Sequence, residues 1–268
     1  MCLIAFALNA HSRWRFALAG NRDEFHARLT AAACPLDDAG RVFGGRDLQA
    51  GGGWLQVSAE GRLAAVTNVR LGQPEVASRS RGALVQGFAH GTETASDYAA
   101  RLLPQAAEFG RFNVLLWDGD ALMLGNHPSA QIQNLASGVF GLSNAALDTP
   151  WPKTLRMREA LSAWLQVAPV HEHPADAPQF LEPLFAALAN PAEAEENELP
   201  DTGVPHDWEK RLSAAFIVGA DYGTRASTVV LADDAGLWFE ERSFGPQGVV
   251  TGRVAIWLPK LSVSAERS

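Results

Sequence analysis

With 268 residues, 47% of them hydrophobic and 19% charged, the chain has a globular balance and the length to bury about 70 to 75% of its unfolded surface. A formal net charge of -8 without any Lys/Arg cluster argues against nucleic acid as a partner. No apolar run approaches the roughly 18 residues of a membrane span, and Asn9, His11, Arg13 and Arg15 interrupt any signal-like stretch, so a cytoplasmic protein is expected.

Residues 3–8 and 15–19 read as the two strands of a hairpin turned by residues 9–14. That pairing brings Gly20-Asn21-Arg22-Asp23-Glu24 back to the chain start, beside Cys2. Residues 25–50, punctuated by Cys34-Pro35, Asp37-Asp38 and Gly44-Gly45-Arg46-Asp47, are predicted to be loop. Gly51-Gly52-Gly53 lacks the Lys-Ser/Thr of a phosphate loop and the spacing of a dinucleotide fingerprint, and predicts close approach of backbone to backbone or ligand. A second hairpin, 54–58 with 63–69, ends in Thr67-Asn68-Val69-Arg70.

Residues 80–90 and 96–107 carry apolar residues at helical spacing, each behind a candidate Ser cap, and predict an antiparallel helix pair. Residues 112–117 and 121–125 flank the turn Asp118-Gly119-Asp120, and a strand over 139–142 runs into Ser143-Asn144. Pro150-Trp151-Pro152-Lys153 starts a helix whose face is Met157, Leu161, Trp164 and Leu165. A further helix is predicted over 176–189, with Gln179 in the capping-box position. The acidic stretch 190–201 reads as a solvated loop, and 225–232 with 236–244 as a last strand pair. Strands, helices, strands, helices, strands is not βαβ alternation. It predicts an α+β fold over one domain, 1–268, with two mostly antiparallel sheets face to face and helix pairs outside.

The chemistry gathers at Cys2. On its own Cys2 reads first as a small apolar residue opening a buried strand. With Met1 removed it carries both a thiol and an α-amine of pKa about 7.7 to 8.0, which is how an N-terminal nucleophile takes a proton from itself. Arg22 would favour thiolate, and Asp23 would hold the new amine. Asn68 or Asn144 would donate an amide N–H to an oxyanion, and Arg225 would bridge carboxylates or orient the site. Trp54, Trp151 and Asn21 are candidates for holding a ligand with an apolar part. The two cysteines, Cys2 and Cys34, are expected to be reduced. His171-Glu172-His173 lacks zinc spacing, so no metal and no cofactor are expected. His26 is the remaining histidine near the tetrad.

The start Met1-Cys2-Leu3-Ile4, the tetrad Asn21-Arg22-Asp23-Glu24, Gly51-Gly52-Gly53-Trp54-Leu55, Thr67-Asn68-Val69-Arg70, Leu142-Ser143-Asn144, Pro150-Trp151-Pro152-Lys153 and Tyr222-Gly223-Thr224-Arg225 resemble the NRDE family, also called the transport and Golgi organisation 2 family. The chain departs from the family at Gly53, where Thr is common, and at Gln56, where Gly is usual. The family is similar in turn to N-terminal nucleophile hydrolases of the choloylglycine and penicillin acylase type. That resemblance implies an αββα sandwich, with Cys2, Arg22, Asp23, Asn68, Asn144 and Arg225 as the matching catalytic set. It also implies two functions: hydrolysis of a small nonpeptide amide, or carriage or sensing of an acyl, lipid or haem-like ligand without turnover.

Overall fold

Strand β1 (Cys2–Leu8) is buried at every position because both of its faces are covered. Cys2, Ile4, Phe6 and Leu8 point between two sheets, while Leu3, Ala5 and Ala7 point towards helices, as the period of two requires. This computed structural model describes residues 2–72, 77–176 and 178–261, so the state of Met1 on which the chemistry of Cys2 depends lies outside the described residues.

The first sheet contains β1 with β2 (Phe16–Phe25), β10 (Gly138–Leu142), β11 (Tyr222–Ala232), β12 (Gly236–Phe244) and β13 (Val250–Pro259), in the order β10-β1-β2-β11-β12-β13. The second runs in chain order through β3 (Thr30–Pro35), β4 (Val42–Asp47), β5 (Leu55–Ser58), β6 (Arg62–Asn68), β7 (Phe112–Trp117), β8 (Leu122–His127) and β9 (Gln131–Asn134). Neighbouring strands are antiparallel in both sheets.

Between the sheets lies a core built around Ile4, Phe6, Phe16, Leu55, Leu63 and Phe239. Helices α3 (Pro152–Val167) and α4 (Glu182–Leu188) cover the outer face of the first sheet, where Met157, Leu161, Trp164 and Leu165 meet Leu3, Ala5 and Ala19. Helices α1 (Gly82–Ala89) and α2 (Ala95–Leu102) cover the second through Leu84, Phe88 and Tyr98 against Val66 and Val114. Each large side chain so buried contributes about 1.5 to 3 kcal/mol. The result is the four-layer αββα sandwich expected from the element order.

Several local expectations are corrected. Residues 25–50 are not loop throughout, since β3 and β4 form there, and the second strand does not end at residue 19 but runs on through the tetrad, which is the last part of β2. Pairing with β1 and β11 on either side overrides the poor strand propensity of Asn, Asp and Glu. The 176–189 helix is instead a short 3-10 turn at 178–181 followed by α4, with Pro183 at its start and no side-chain cap, so the Gln179 capping box does not form. Ala177, within that expected span, lies outside the described residues. Thr94 rather than Ser96 caps α2, by accepting from the Asp97 N–H at 3.1 Å, and at α1 the N-cap is Arg81, with the Ser80 hydroxyl before it accepting from the Gly82 N–H at 3.2 Å. Strands β9 and β13 and helix α5 (His206–Leu212) carry no expectation from sequence.

The two departures from the family pattern meet in space. A Cβ at Gly53 would fall 2.7 Å from Nε2 of Gln56 and 2.7 Å from the Gly45 carbonyl oxygen, so the Gln56 side chain fills the space that a residue 53 side chain would need. Gly53→Thr is therefore expected to destabilise by about 1 to 3 kcal/mol through overpacking, and adding Gln56→Gly should recover part of that loss. Urea unfolding of the two single variants and the double variant measures the coupling; strict additivity would refute the exchange.

Candidate functional site

The ladder of the first sheet places one row of residues across four strands. Cys2 pairs with Arg22, Arg22 with Ala226, and Ala226 with Ser243. At about 4.8 Å between strands the row is about 14 Å long. All four residues border one cavity of about 620 Å³, roofed from the second sheet by Trp54, Val66 and Asn68. Arg225 also borders it. A register shift between Thr224 and Ala226 turns Arg225 out of the regular alternation. Its guanidinium donates to the carbonyls of Phe25, His26, Arg28 and Phe244, so it fastens the segment after β2 to the end of β12 rather than bridging carboxylates.

Asn144 has a different place from Asn68. It is fully buried, and its Nδ2 donates to Asn68 at both the backbone oxygen, 2.9 Å, and Oδ1, 3.0 Å. Its own donors are thereby spent. Asn68, whose oxygen end is held, is the asparagine that borders the cavity. Ser143, one residue earlier, donates its hydroxyl to the Cys2 carbonyl at 2.9 Å, while its own carbonyl accepts from Thr67 at 2.7 Å.

Burial raises the pKa of the Cys2 thiol, with Asp23 and Glu24 acting in the same direction and Arg22 opposing them. Arg22 alone therefore does not make the thiolate prevail. Asp23, 1% exposed, also has its pKa raised by burial, although Lys153 and a 2.7 Å bond from the Thr224 hydroxyl favour its carboxylate. Lys153 itself is 2% exposed, and its Nζ donates to the Leu212 carbonyl at the end of α5, 2.7 Å away. Burial pulls its pKa down to about 8, against the pull of Asp23. Behind it Arg70 and Glu209 form a buried ion pair at 2.8 Å, with the Arg70 guanidinium 4.9 Å from the Trp151 ring centre.

Cys2, Arg22, Asp23, Asn68, Arg225 and Trp54 thus come together around one cavity, and Asn144 supports it from behind. Trp151 and Asn21 do not border it. Trp151 is the N-cap of α3 and packs on Arg70. Asn21 faces the helices, donating to the Leu188 and Ala215 carbonyls at 2.8 Å each and accepting from Ser227 at 2.6 Å. His26 also lies outside the cavity wall, and burial lowers its pKa. Sequence reasoning missed Lys153, Glu241 and Arg81. For Glu241 a signal existed, because Glu240-Glu241 continues an apolar strand at positions that must be buried. Glu241 accepts from the Ala33 N–H at 2.8 Å. Lys153 stands in the Pro-Trp-Pro-Lys motif with nothing to mark it as buried, and Arg81 carries no signal at all.

The four-layer αββα fold has solved relatives in shape. Two solved variants of the conjugated bile acid hydrolase from Clostridium perfringens share it. One matches with a TM-score of 0.50 at 7% identity over 96% of this chain and 92% of that one; the other has the same score at 8% identity, over 95% and 92%. The family model described as Transport and Golgi organisation 2 matches residues 1–246, and the chain belongs to that family. The Bos taurus Transport and Golgi organization protein 2 homolog is 32% identical over 264 residues, 91% of this chain and 93% of its own. The Homo sapiens homolog is 30% identical over the same shares, and the Drosophila melanogaster protein 27% identical, over 87% and 88%.

An amine that titrates near 8 when folded and at its ordinary 10.5 when unfolded binds fewer protons in the folded chain between those values, so stability rises with pH across that window. Lys153→Met should flatten that rise, changing its size by up to about 3 kcal/mol. Urea unfolding of both proteins at several pH values between 8 and 10.5 checks it, and identical profiles would show that Lys153 keeps its ordinary affinity for protons.

Proposed function

We propose that the protein is an N-terminal-cysteine amidohydrolase that cleaves the linear C–N bond of a small nonpeptide amide or acyl compound once Met1 has been removed. The observation that carries this reading is the meeting of Cys2, Arg22 and Asn68 at one cavity, with Asn144 occupying the oxygen end of the Asn68 amide. The hydrolase scaffold is its second support.

In the proposed cycle the freed α-amine of Cys2 takes the thiol proton, and the sulfur attacks the substrate carbonyl carbon while that C=O electron pair moves to oxygen. Asn68 donates an N–H to the oxyanion. Collapse breaks the C–N bond, the ammonium returns its proton to the departing amine, and water then hydrolyses the thioester to acid and free thiol. Asp23 holds the ammonium, Arg22 offsets part of the burial that disfavours thiolate, and Arg225 keeps the segment after β2 in place. Trp54 packs on an apolar part of the substrate. The cycle needs neither metal nor cofactor. Two free cysteines and described helices too short or too polar to cross a membrane fit a cytoplasmic, single-domain protein.

One observation favours the second reading, a carrier or sensor of an acyl, lipid or haem-like ligand. Cys2 is only 6% exposed and burial raises its pKa, which suits a wall residue better than a nucleophile.

Intact-mass measurement of the native protein, followed by turnover of N-acyl 4-nitroanilides, separates the two. The hydrolase is expected to lack Met1, to lose turnover in Cys2→Ala, and to lose about 10²- to 10³-fold in kcat in Asn68→Ala. Retained Met1 in an active protein, or full activity in Cys2→Ala, would sink it. A carrier should bind its ligand in Cys2→Ala and lose it in Ala226→Trp, which fills the middle of the row.

A further inference from the structure

We infer that the cavity takes its ligand by an anionic group, of carboxylate or phosphate chemistry, received by Arg46 and Arg81. This rests on the cavity being the ligand site and not on catalysis by Cys2. The chain as a whole is acidic, with 22 Lys and Arg against 30 Asp and Glu. The cavity reverses the balance. Six arginines, Arg22, Arg28, Arg46, Arg79, Arg81 and Arg225, border it, against the four carboxyls of Asp23, Glu24, Asp47 and Glu241. Burial pushes Asp23 and Glu241 towards their neutral forms, which makes the wall more positive still.

Most of these guanidiniums are engaged. Arg28 lies 2.7 Å from Asp47, Arg79 3.3 Å from Glu108, and Arg22 3.7 Å from Glu24, while Arg225 is bonded to backbone carbonyls. Arg46 and Arg81 have no carboxylate at ion-pair distance among the described residues. The Arg81 side chain donates to the Arg111 carbonyl at 3.2 Å, and its guanidinium makes no other hydrogen bond among the described residues.

The glycine run sets both on one rim. The Asp47 N–H donates to the Gly52 carbonyl at 3.0 Å and the Gly51 N–H to the Asp47 carbonyl at 2.9 Å, which folds the run back onto the end of β4 beside Arg46. Gly82 packs on the backbone of Gly51 and Gly53, where even a Cβ would sit 3.0 to 3.1 Å away, so Arg81 abuts the same turn. Burial lowers the Arg81 pKa while Cys2 and Glu24 act in the opposite direction, so the rim lies within electrostatic reach of the thiol end of the row. A guanidinium is weakly hydrated and presents a planar fork that matches a carboxylate or phosphate. Two of them without a carboxylate partner among the described residues, at the mouth of a concave site, focus the field on an incoming anion.

Isothermal titration calorimetry of the full chain with octanoate, octyl phosphate and neutral octanamide tests this. At low salt at least one anion is expected to bind about tenfold or more tightly than octanamide, with affinity falling as salt rises. The double variant Arg46→Gln/Arg81→Gln should lose about tenfold or more in anion affinity while octanamide changes by no more than about twofold. Preference for octanoate assigns a carboxylate and preference for octyl phosphate a phosphate ester. Cys2→Ala should bind the anions as the wild type does whether or not the amides are hydrolysed, so failure of the hydrolase reading and failure of this one give different results. Failure of both anions to bind, octanamide binding as tightly as they do, salt-independent binding, or unchanged anion affinity in a folded double variant overturns the inference.

Discussion

The site depends on the stitch that Ser143 and Asn144 make between the two sheets. Leaving β10, a strand of the first sheet, the chain crosses to the end of β6 in the second, where a set of hydrogen bonds of fixed direction holds it. Thr67 and Asn113 donate to carbonyls of the 143–145 segment, Asn144 donates to Asn68, and the Arg70 N–H donates to the Asn144 carbonyl at 2.7 Å. Apolar packing sets the spacing of two sheets but is non-directional, and the stitch supplies the direction. It also reaches Cys2, through the Ser143 hydroxyl. The thiol on one sheet and the amide on the other are therefore positioned by one segment, and neither sheet can slide without breaking bonds inside a buried region where lost partners are costly.

The same end of the molecule carries an unusual load of buried charge. Lys153, Asp23, Arg70, Glu209 and Arg22 are all nearly inaccessible, and a buried charge survives only where partners offset its desolvation. Some of that cost is offset locally, by the Arg70–Glu209 pair and by the Leu212 carbonyl on Lys153. Helix α5 is central to both, since it supplies Glu209 and Leu212. An element that borders no part of the cavity thus holds Lys153, whose charge favours the Asp23 carboxylate against its burial.

The fold was legible because its layers impose patterns that a sequence displays. A strand covered on both faces reads as an unbroken apolar run, as in Cys2 to Leu8, and a helix on an outer face reads at helical spacing, as with Met157, Leu161 and Leu165. The missed elements are those whose order comes from contacts elsewhere. Strand β13 is largely exposed and takes its register from β12, while the last part of β2 is polar because its side chains meet a cavity and a helix layer. Residue types at the site were legible, but their division of labour was not. Asn68 and Asn144 look alike in sequence, and only the bond between them decides which one borders the cavity. Asn21 sits beside Arg22 in the chain, yet strand alternation sends it to the opposite face, where its amide is consumed by Leu188, Ala215 and Ser227.

Gly53 and Gln56 show how such a site tolerates change. Gln56 stands on β5 opposite Ala64, and its side chain turns back into the space that the absent side chain at 53 leaves empty. Its Oε1 is buried without a partner among the described residues, a cost that a tidy replacement would avoid. The exchange completes the glycine run. With no side chain at 52, the run stays against Gly82 and holds α1 close to the end of β4. Gly52, at φ +73 and against the Gly82 carbonyl, has no room for anything larger. The cavity mouth is consequently shaped by backbone, and side chains from both sides of that turn decide what the mouth admits.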